Sequence, residues 1–426
     1  MKATTGLRRD TAVSDLPDVA SLQQLAHYWT EAVALPAGPR LALARRYQDQ
    51  YDRLDLEFPN LRAVHVWLVR QRQSRPAARL LIDYAIVLAP YLQHRGRAAE
   101  LLRWCDDGLR ACAYLQENPG VLLLLRYEAQ FVLSQWEAAH ASLVAALTAG
   151  ASGDAPTYAR AVLALGRLQL NRGEYEAALR NLAKAQALLT AVADIPGLST
   201  VLAEKAAYHL NRRELDTALA LYLEADQLDR QNGATAPSDR TLLMLGVVYR
   251  KKRDYPRATA YLQQAMSRGE SQQYPALIAT AAHHLAWVRL DQGDLQRARR
   301  LSGHALTLYR STGDIRGTAD TYEQLGLLTL AGGRVQQAWR YLDRAVVLRR
   351  QVGNKQGVAS SLRRRAIAYV HTGHVLAAVY DLWESFGIYH QLQVLTPQQL
   401  GSILWEFFAL TVPARRYRNL RWRRGV

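Results

Sequence analysis

Long hydrophobic runs are missing from this 426-residue chain. A membrane-spanning helix needs roughly 20 uninterrupted apolar residues, and the nearest approach, Leu80 to Leu92, is broken by Asp83. Cysteine is nearly absent. Cys105 and Cys112 are too few for a disulfide framework or a four-ligand zinc site. Their seven-residue spacing reads as two small core residues on one helical face, which points to a reducing compartment and hence the cytoplasm. Proline is sparse, so long helices are permitted. The first residues, with Lys2, Arg8, Arg9 and Asp10, have no apolar run behind them and read as a loose tail rather than a secretory signal. Acid falls short of base: 37 Asp and Glu against 54 Lys and Arg give a formal charge of +17, mostly from arginine, which favours bidentate contact with carboxylate or phosphate.

Signatures of chemistry are also lacking. There is no Gly-x-x-x-x-Gly-Lys-Ser/Thr loop, no strand leading into Gly-x-Gly-x-x-Gly, no Gly-x-Ser-x-Gly elbow and no His-Glu-x-x-His pair. His283 and His284 are adjacent and would point about 100° apart on a helix. His371 and His374 flank a glycine turn, and neither pair has a third ligand at metal-binding spacing. The expectation is a non-enzymatic protein without cofactor or metal.

What is present is a period. Ala178, Ala218, Ala258, Ala298, Ala338 and Ala378 recur every 40 residues. Twelve residues earlier stands a second small column, Gly166, Ala206, Gly246, Ala286, Gly326 and Ala366, and seven later a third, Ala185, Ala225, Ala265, Ala305, Ala345 and Ser385. Small side chains let helices approach closely, so each unit reads as a helix A and a helix B packed antiparallel. The first-mentioned column lies on B, the second on A where B crosses it, and the third on B at the joint with the following unit. Leu165, Leu245, Leu285 and Leu325 precede the A-helix small residue, whereas Lys205 and Arg365 hold that place in two units. An unpaired buried charge is costly, so these two either meet a carboxylate or escape to solvent. Gly173, Gly293, Gly333 and Gly373 mark tight A-to-B turns, with Arg213 and Arg253 in their place elsewhere.

This pattern resembles the tetratricopeptide repeat in a long, 40-residue form, with the extra residues placed in helix B and in connections such as Ser311 to Gly317 and Gln351 to Gly357. It is similar to the C-terminal sensor arrays of bacterial STAND-type signal-transduction regulators, and the stretch Leu54 to Ala63 resembles the segment that opens such arrays. Their ATPase module has no counterpart motif here, so ATP-driven switching is not carried over. The resemblance implies an all-α, right-handed solenoid. Its expected parts are a tail with capping helices near 20–33 and 59–73 within residues 1–76, degenerate hairpins over 77–155, six units over 156–392, a capping helix over 393–412 and a basic tail over 413–426. Trp136-Glu137-Ala138-Ala139 mirrors Tyr175-Glu176-Ala177-Ala178, and Gly96 followed by Ala98 to Leu109 reads as a further turn and B helix, which makes about eight hairpins.

The resemblance also assigns the concave groove to the A helices. One groove column reads Arg167, Ala207, Val247, Trp287, Leu327 and Ile367, with Arg240, Arg250, Lys251 and Arg363 nearby, a lining suited to an amphipathic or extended peptide. The Lys and Asn pattern of the chaperone-tail clamp is not matched. In the last segment Arg415, Arg416, Arg418, Arg421, Arg423 and Arg424 alternate with Tyr417, Leu420 and Trp422, a composition that suits nucleic acid, an anionic membrane or an acidic protein surface. Three functions follow as expectations: a scaffold or adaptor holding a protein or peptide in its groove, a regulatory receptor for a small ligand or peptide, and a nucleic-acid-associated subunit.

Overall fold

The computed structural model describes residues 40–233, 237–391 and Gly401. Among these, 17 helices follow one another without a strand. A long first helix, α1 (Arg40–Arg70), precedes eight antiparallel hairpins: α2 (Arg75–His94) with α3 (Ala98–Leu115), α4 (Gly120–Val132) with α5 (Trp136–Ala151), α6 (Ala155–Arg172) with α7 (Tyr175–Ala191), and α8 (Ile195–Asn211) with α9 (Leu215–Gln231). Then come α10 (Asp239–Lys251) with α11 (Tyr255–Ser271), α12 (Pro275–Asp291) with α13 (Leu295–Thr312), α14 (Ile315–Ala331) with α15 (Val335–Gln351), and α16 (Lys355–His371) with α17 (Val375–Gln391). None is long and apolar enough to cross a membrane. The expected helix at 20–33, the C-terminal capping helix and the basic tail lie outside the described residues.

The helices are terminated with strict regularity. Gly173, Ala193, Arg213, Gly233, Arg253, Gln273, Gly293, Gly313, Gly333, Gly353 and Gly373 all have positive φ, one every 20 residues. Each ends a helix in the left-handed conformation, and the next residue often caps the following one: Asp194, Asp254, Asp294, Asp314 and Asn354 accept from the N–H three residues on. The 40-residue unit is therefore two equal halves. This corrects the expected placement of the extra residues, which lengthen the helices rather than the connections: Ser311 to Gly317 spans a helix end, a two-residue turn and the first turn of α14.

Gly246 and Gly326 show why the A-helix column is small. A Cβ added there would fall 2.5 Å from Leu262 Cγ and 2.6 Å from Leu342 Cγ, side chains of the partner B helix. The third column was expected at the joint with the following unit, and Ala185 and Ala265 do share core clusters with Val201 and Leu277 of the next A helix, but the column also seals its own hairpin. Ser385 Oγ donates to the Ala359 carbonyl at 2.9 Å, and Ala345 packs with Tyr322 and Leu325 of the preceding A helix. Upstream, the structure runs one helix through Pro59 where a start had been expected. Leu54, Phe58, Leu61, Val64 and Leu68 form a single buried stripe across the proline, and their burial outweighs the one ladder bond that proline removes.

Consecutive A helices pack against one another more closely than consecutive B helices do, so the A helices line the concave side and the B helices the convex one. The curvature is tight enough that the coil meets itself. His94, at the end of α2, donates from Nε2 to the Gln272 carbonyl at 2.9 Å and stacks on Tyr274 at 4.3 Å. Arg95 donates to the carbonyls of Gln272 and Gln273 at 3.1 and 2.8 Å, groups left over at the C-terminus of α11. Further along, Arg316 donates to Asn171 Oδ1 at 2.8 Å, and Tyr175 packs with Ala359, Phe386 and Tyr389. Each superhelical turn thus takes four to five hairpins, and successive turns touch along a seam.

Candidate functional site

The interior of this coil is built from the exposed edges of the A helices. Trp287 of α12 is half-buried there, and its indole is fixed from behind. Its Nε1–H donates to His283 Nε2 at 3.1 Å, His283 Nδ1 faces Thr321 Oγ1 at 3.3 Å, and that hydroxyl donates to the Gly317 carbonyl at 2.8 Å. This chain requires a neutral imidazole. Burial supplies that by pushing the His283 pKa down to about 4, and burial followed by the proximity of His283 and Arg250 also lowers that of His284. With its N–H satisfied inside the wall, Trp287 offers its ring to the interior.

Two guanidinium groups attend that ring, Arg250 with its carbon 5.5 Å and Arg364 5.8 Å from the centroid. Each is held by a carboxylate: Arg250 by Asp291 at 2.8 Å, Arg364 by Glu323. Glu323 also takes Arg349 and accepts from Ser361 Oγ at 2.7 Å, while Arg349 reaches Asp320 at 2.5 Å and the Gly357 carbonyl at 2.8 Å. Burial pushes the Glu323 carboxyl up, but Arg364 and Arg349 outweigh it and hold it below its ordinary value. The network ties α14, α15 and α16 together directly behind Trp287.

The remaining groove residues divide. Arg240 pairs with buried Glu204 at 2.6 Å, and Arg167 lies over Phe131 at 4.8 Å and Tyr127 at 5.5 Å. Leu327 is half-buried beside the same interior, and Arg363 lies against Tyr389. Lys251 is exposed, with its ammonium pKa lowered by burial of its surroundings and by Arg250 and Arg213. Val247 and Ile367, expected to line the groove, do not: at 7% and 5% exposure they are core residues, packed with neighbouring helices. The apolar stripe is consequently shorter than the column implied. Of the two charges in the leucine column, Arg365 forms a bidentate pair with buried Asp381 at 2.8 Å and meets Asp343 at 2.6 Å, whereas Lys205 reaches out to Gln186. The arginine-rich stretch from Arg415 to Arg424 lies outside the described residues.

Glu323 and Arg349 had not been singled out. Aligning the units exposes them: Glu323 stands where other units have Leu163, Ala203, Leu243 and His283, and Arg349 where Leu189 and Tyr309 stand. Among the described residues no three potential metal ligands converge.

Residues 240–311 match the tetratricopeptide repeat family. No curated protein matches the chain in sequence. Among solved structures it is similar to a Rap protein complexed with Competence and Sporulation Factor, at 12% identity over 88% of this chain and 98% of that one, with a TM-score of 0.60. It is similar also to a chain of the APC/C hetero-tetramer Cut9–Hcn1, at 18% identity over 89% of this chain and 62% of that one, with a TM-score of 0.54. Identities this low speak for the fold alone. The chain therefore carries tetratricopeptide repeats at 240–311 and folds, over its described length, as a tetratricopeptide-like solenoid, a type of array that generally mediates contacts between proteins.

Proposed function

We propose that this protein is a non-catalytic scaffold that holds an extended segment of a protein partner inside its coil, against Trp287. The observation that carries this reading is the preorganised indole: its N–H is satisfied, its ring is flanked by two arginines already fixed by carboxylates, and it retains solvent access on the concave side. Little ordering entropy remains to be lost when such a surface takes a ligand. Leu327 and Trp287 suit an apolar anchor, and Lys251, which has no ion pair among the described residues, suits a carboxylate beside it. That a Rap protein of like fold was solved with Competence and Sporulation Factor, and a second chain of like fold within the Cut9–Hcn1 hetero-tetramer, supports a binding role without naming a partner.

The test is retention of a protein from the source lysate by the purified chain in high salt. A partner held by the parent and lost with Trp287→Ala, while Arg340→Ala on the convex side retains it, supports the reading. Equal retention by parent and Trp287→Ala overturns it.

A further inference from the structure

On the convex side, facing away from the interior, a cleft of about 500 Å³ opens between the neighbouring B helices α11 and α13, with α12 beneath it. Its floor is apolar and consists of Met266 of α11, Leu285 of α12 and Leu301 of α13. Its rim carries Arg289 of α12 and Arg297 and Arg300 of α13, and no carboxylate lines it. A space of this size, with an apolar floor and a few charged groups at its edge, has the make-up of a binding site.

The cleft belongs to this hairpin and is not a property of the repeat. One unit earlier, the places of Arg289 and Leu301 hold Tyr249 and Tyr261, which stack with their centroids 5.6 Å apart. One unit later, the place of Leu301 holds Tyr341, stacked on Tyr322 at 6.0 Å. The shorter leucine leaves open what a ring fills on either side. The charge is local too. Among the described B helices, α13 alone contains no acidic residue, and it carries Arg297, Arg299, Arg300 and Arg310. At the rim, Arg289 donates to the neutral Gln292 Oε1 at 2.8 Å, Arg297 meets Asp294 at 3.4 Å at the helix start, and Arg300 has no ion pair among the described residues. The positive charge around the apolar floor is therefore largely left for a ligand to neutralise.

We infer that this cleft takes an acidic segment of a protein, with one bulky apolar side chain seated on Met266, Leu285 and Leu301 and with carboxylates on either side of it paired to Arg289 and to Arg297 and Arg300. Guanidinium forks match carboxylates bidentately. The three floor side chains carry no N–H or O–H to read the edge of a nucleobase, and cations on two helices suit charges that flank an anchor better than the single head of a lipid. Because the cleft faces away from the interior, its ligand is independent of what the interior binds.

The test is fluorescence anisotropy of the full chain with the fluorescein-labelled peptide Glu-Asp-Glu-Phe-Glu-Asp-Glu. The expected result is saturable binding that Leu301→Tyr, which installs the ring found in both neighbouring units, weakens at least about tenfold, as does replacing the peptide's phenylalanine by alanine. Arg300→Gln weakens binding and flattens its salt dependence, whereas Arg310→Gln, on the same helix but away from the cleft, does neither. Circular dichroism checks that each variant remains folded, and the altered peptide tests the anchor with the chain unchanged. Absence of saturable binding overturns the proposal. Equal losses from Arg300→Gln and Arg310→Gln, with none from Leu301→Tyr, mean that charge alone gathers the peptide and overturn it as well. A mixed-sequence oligonucleotide that binds more tightly than the peptide, and equally to parent and Leu301→Tyr, assigns the face to nucleic acid and overturns it too.

Discussion

Arg95→Ala should open the seam between successive turns of the coil. The guanidinium is 6% exposed and donates to the carbonyls of Gln272 and Gln273 at 3.1 and 2.8 Å, while Asp52 and Asp55 hold it from behind at 2.8 and 2.9 Å. A hydrogen bond from a charged donor contributes about 1.5–3 kcal/mol, so losing both removes at least about 3 kcal/mol from the closed state. That corresponds to roughly a hundredfold in the ratio of closed to open coil. His94 against Tyr274 remains, so the expected outcome is a mixed population. The assay is the distance distribution between spin labels at Ala99 and Gln263, both exposed positions on the two hairpins that the seam joins. The parent should give one narrow distance and Arg95→Ala a second, longer component. Arg95→Lys keeps the charge but not the fork and should fall between. Asp52→Asn removes an ion pair without touching the turn and should leave the distribution in place. A single unchanged distance in Arg95→Ala would show that the seam is not held as described.

Three other outcomes are expected. Because burial drives His283 to about 4 whereas an unfolded imidazole titrates near 6.5, the unfolded chain takes the proton first as pH falls. Its contribution to stability is intact above about pH 6.5 and declines by about 3 kcal/mol toward pH 4; amide protection factors in α12 at pH 7 and pH 5 check this, and His283→Asn should flatten the change. Arg349→Met strips a buried carboxylate of one of its two arginines and should cost α14 to α16 about 3 kcal/mol of local stability, whereas Arg350→Met, at a half-exposed pair with Glu384, should cost less than about 1 kcal/mol. Comparable losses in hydrogen exchange would contradict the burial argument. Arg213→Gly and Arg253→Gly relieve left-handed backbone at φ 64° and should each stabilise by about 1 kcal/mol, read as a rise in denaturation midpoint; a fall would show that the arginine side chains contribute more than the turn costs.

The repeat was legible because it rests on sterics that leave a mark at every recurrence. Gly246 and Gly326 cannot carry a side chain without meeting a leucine of the partner helix, so the small columns stand out in the residues themselves. Upstream the pattern blurs for a geometric reason: the left-handed residues Gly96, Ser134 and Gly173 are spaced 38 and 39 residues apart rather than 40, so each unit slips out of phase with the next. The long first helix was misjudged because Pro59 reads locally as a start, while the stripe from Leu54 to Leu68 that overrides it shows only on a wheel spanning the proline.

The site was harder to read. Trp287 was identifiable from its column, but whether a column member faces the interior or its neighbour depends on how far each hairpin rotates against the next, and Val247 and Ile367 turned inward. Arg349 and Glu323 carried a weaker signal than Arg365, because their columns also hold Asp229 and Arg363 and do not stand out as apolar. The seam left no trace in local sequence, because His94 and Tyr274 meet only through the accumulated curvature of the intervening hairpins.

The most direct measurement places a photo-crosslinking residue at Leu327 in the interior or at Arg340 on the convex side of the full chain, expressed in its own cell. The account predicts that position 327 captures a discrete protein, that Trp287→Ala abolishes the capture and that position 340 yields none. Capture from position 340 alone, or capture from 327 that persists with Trp287→Ala, would contradict it.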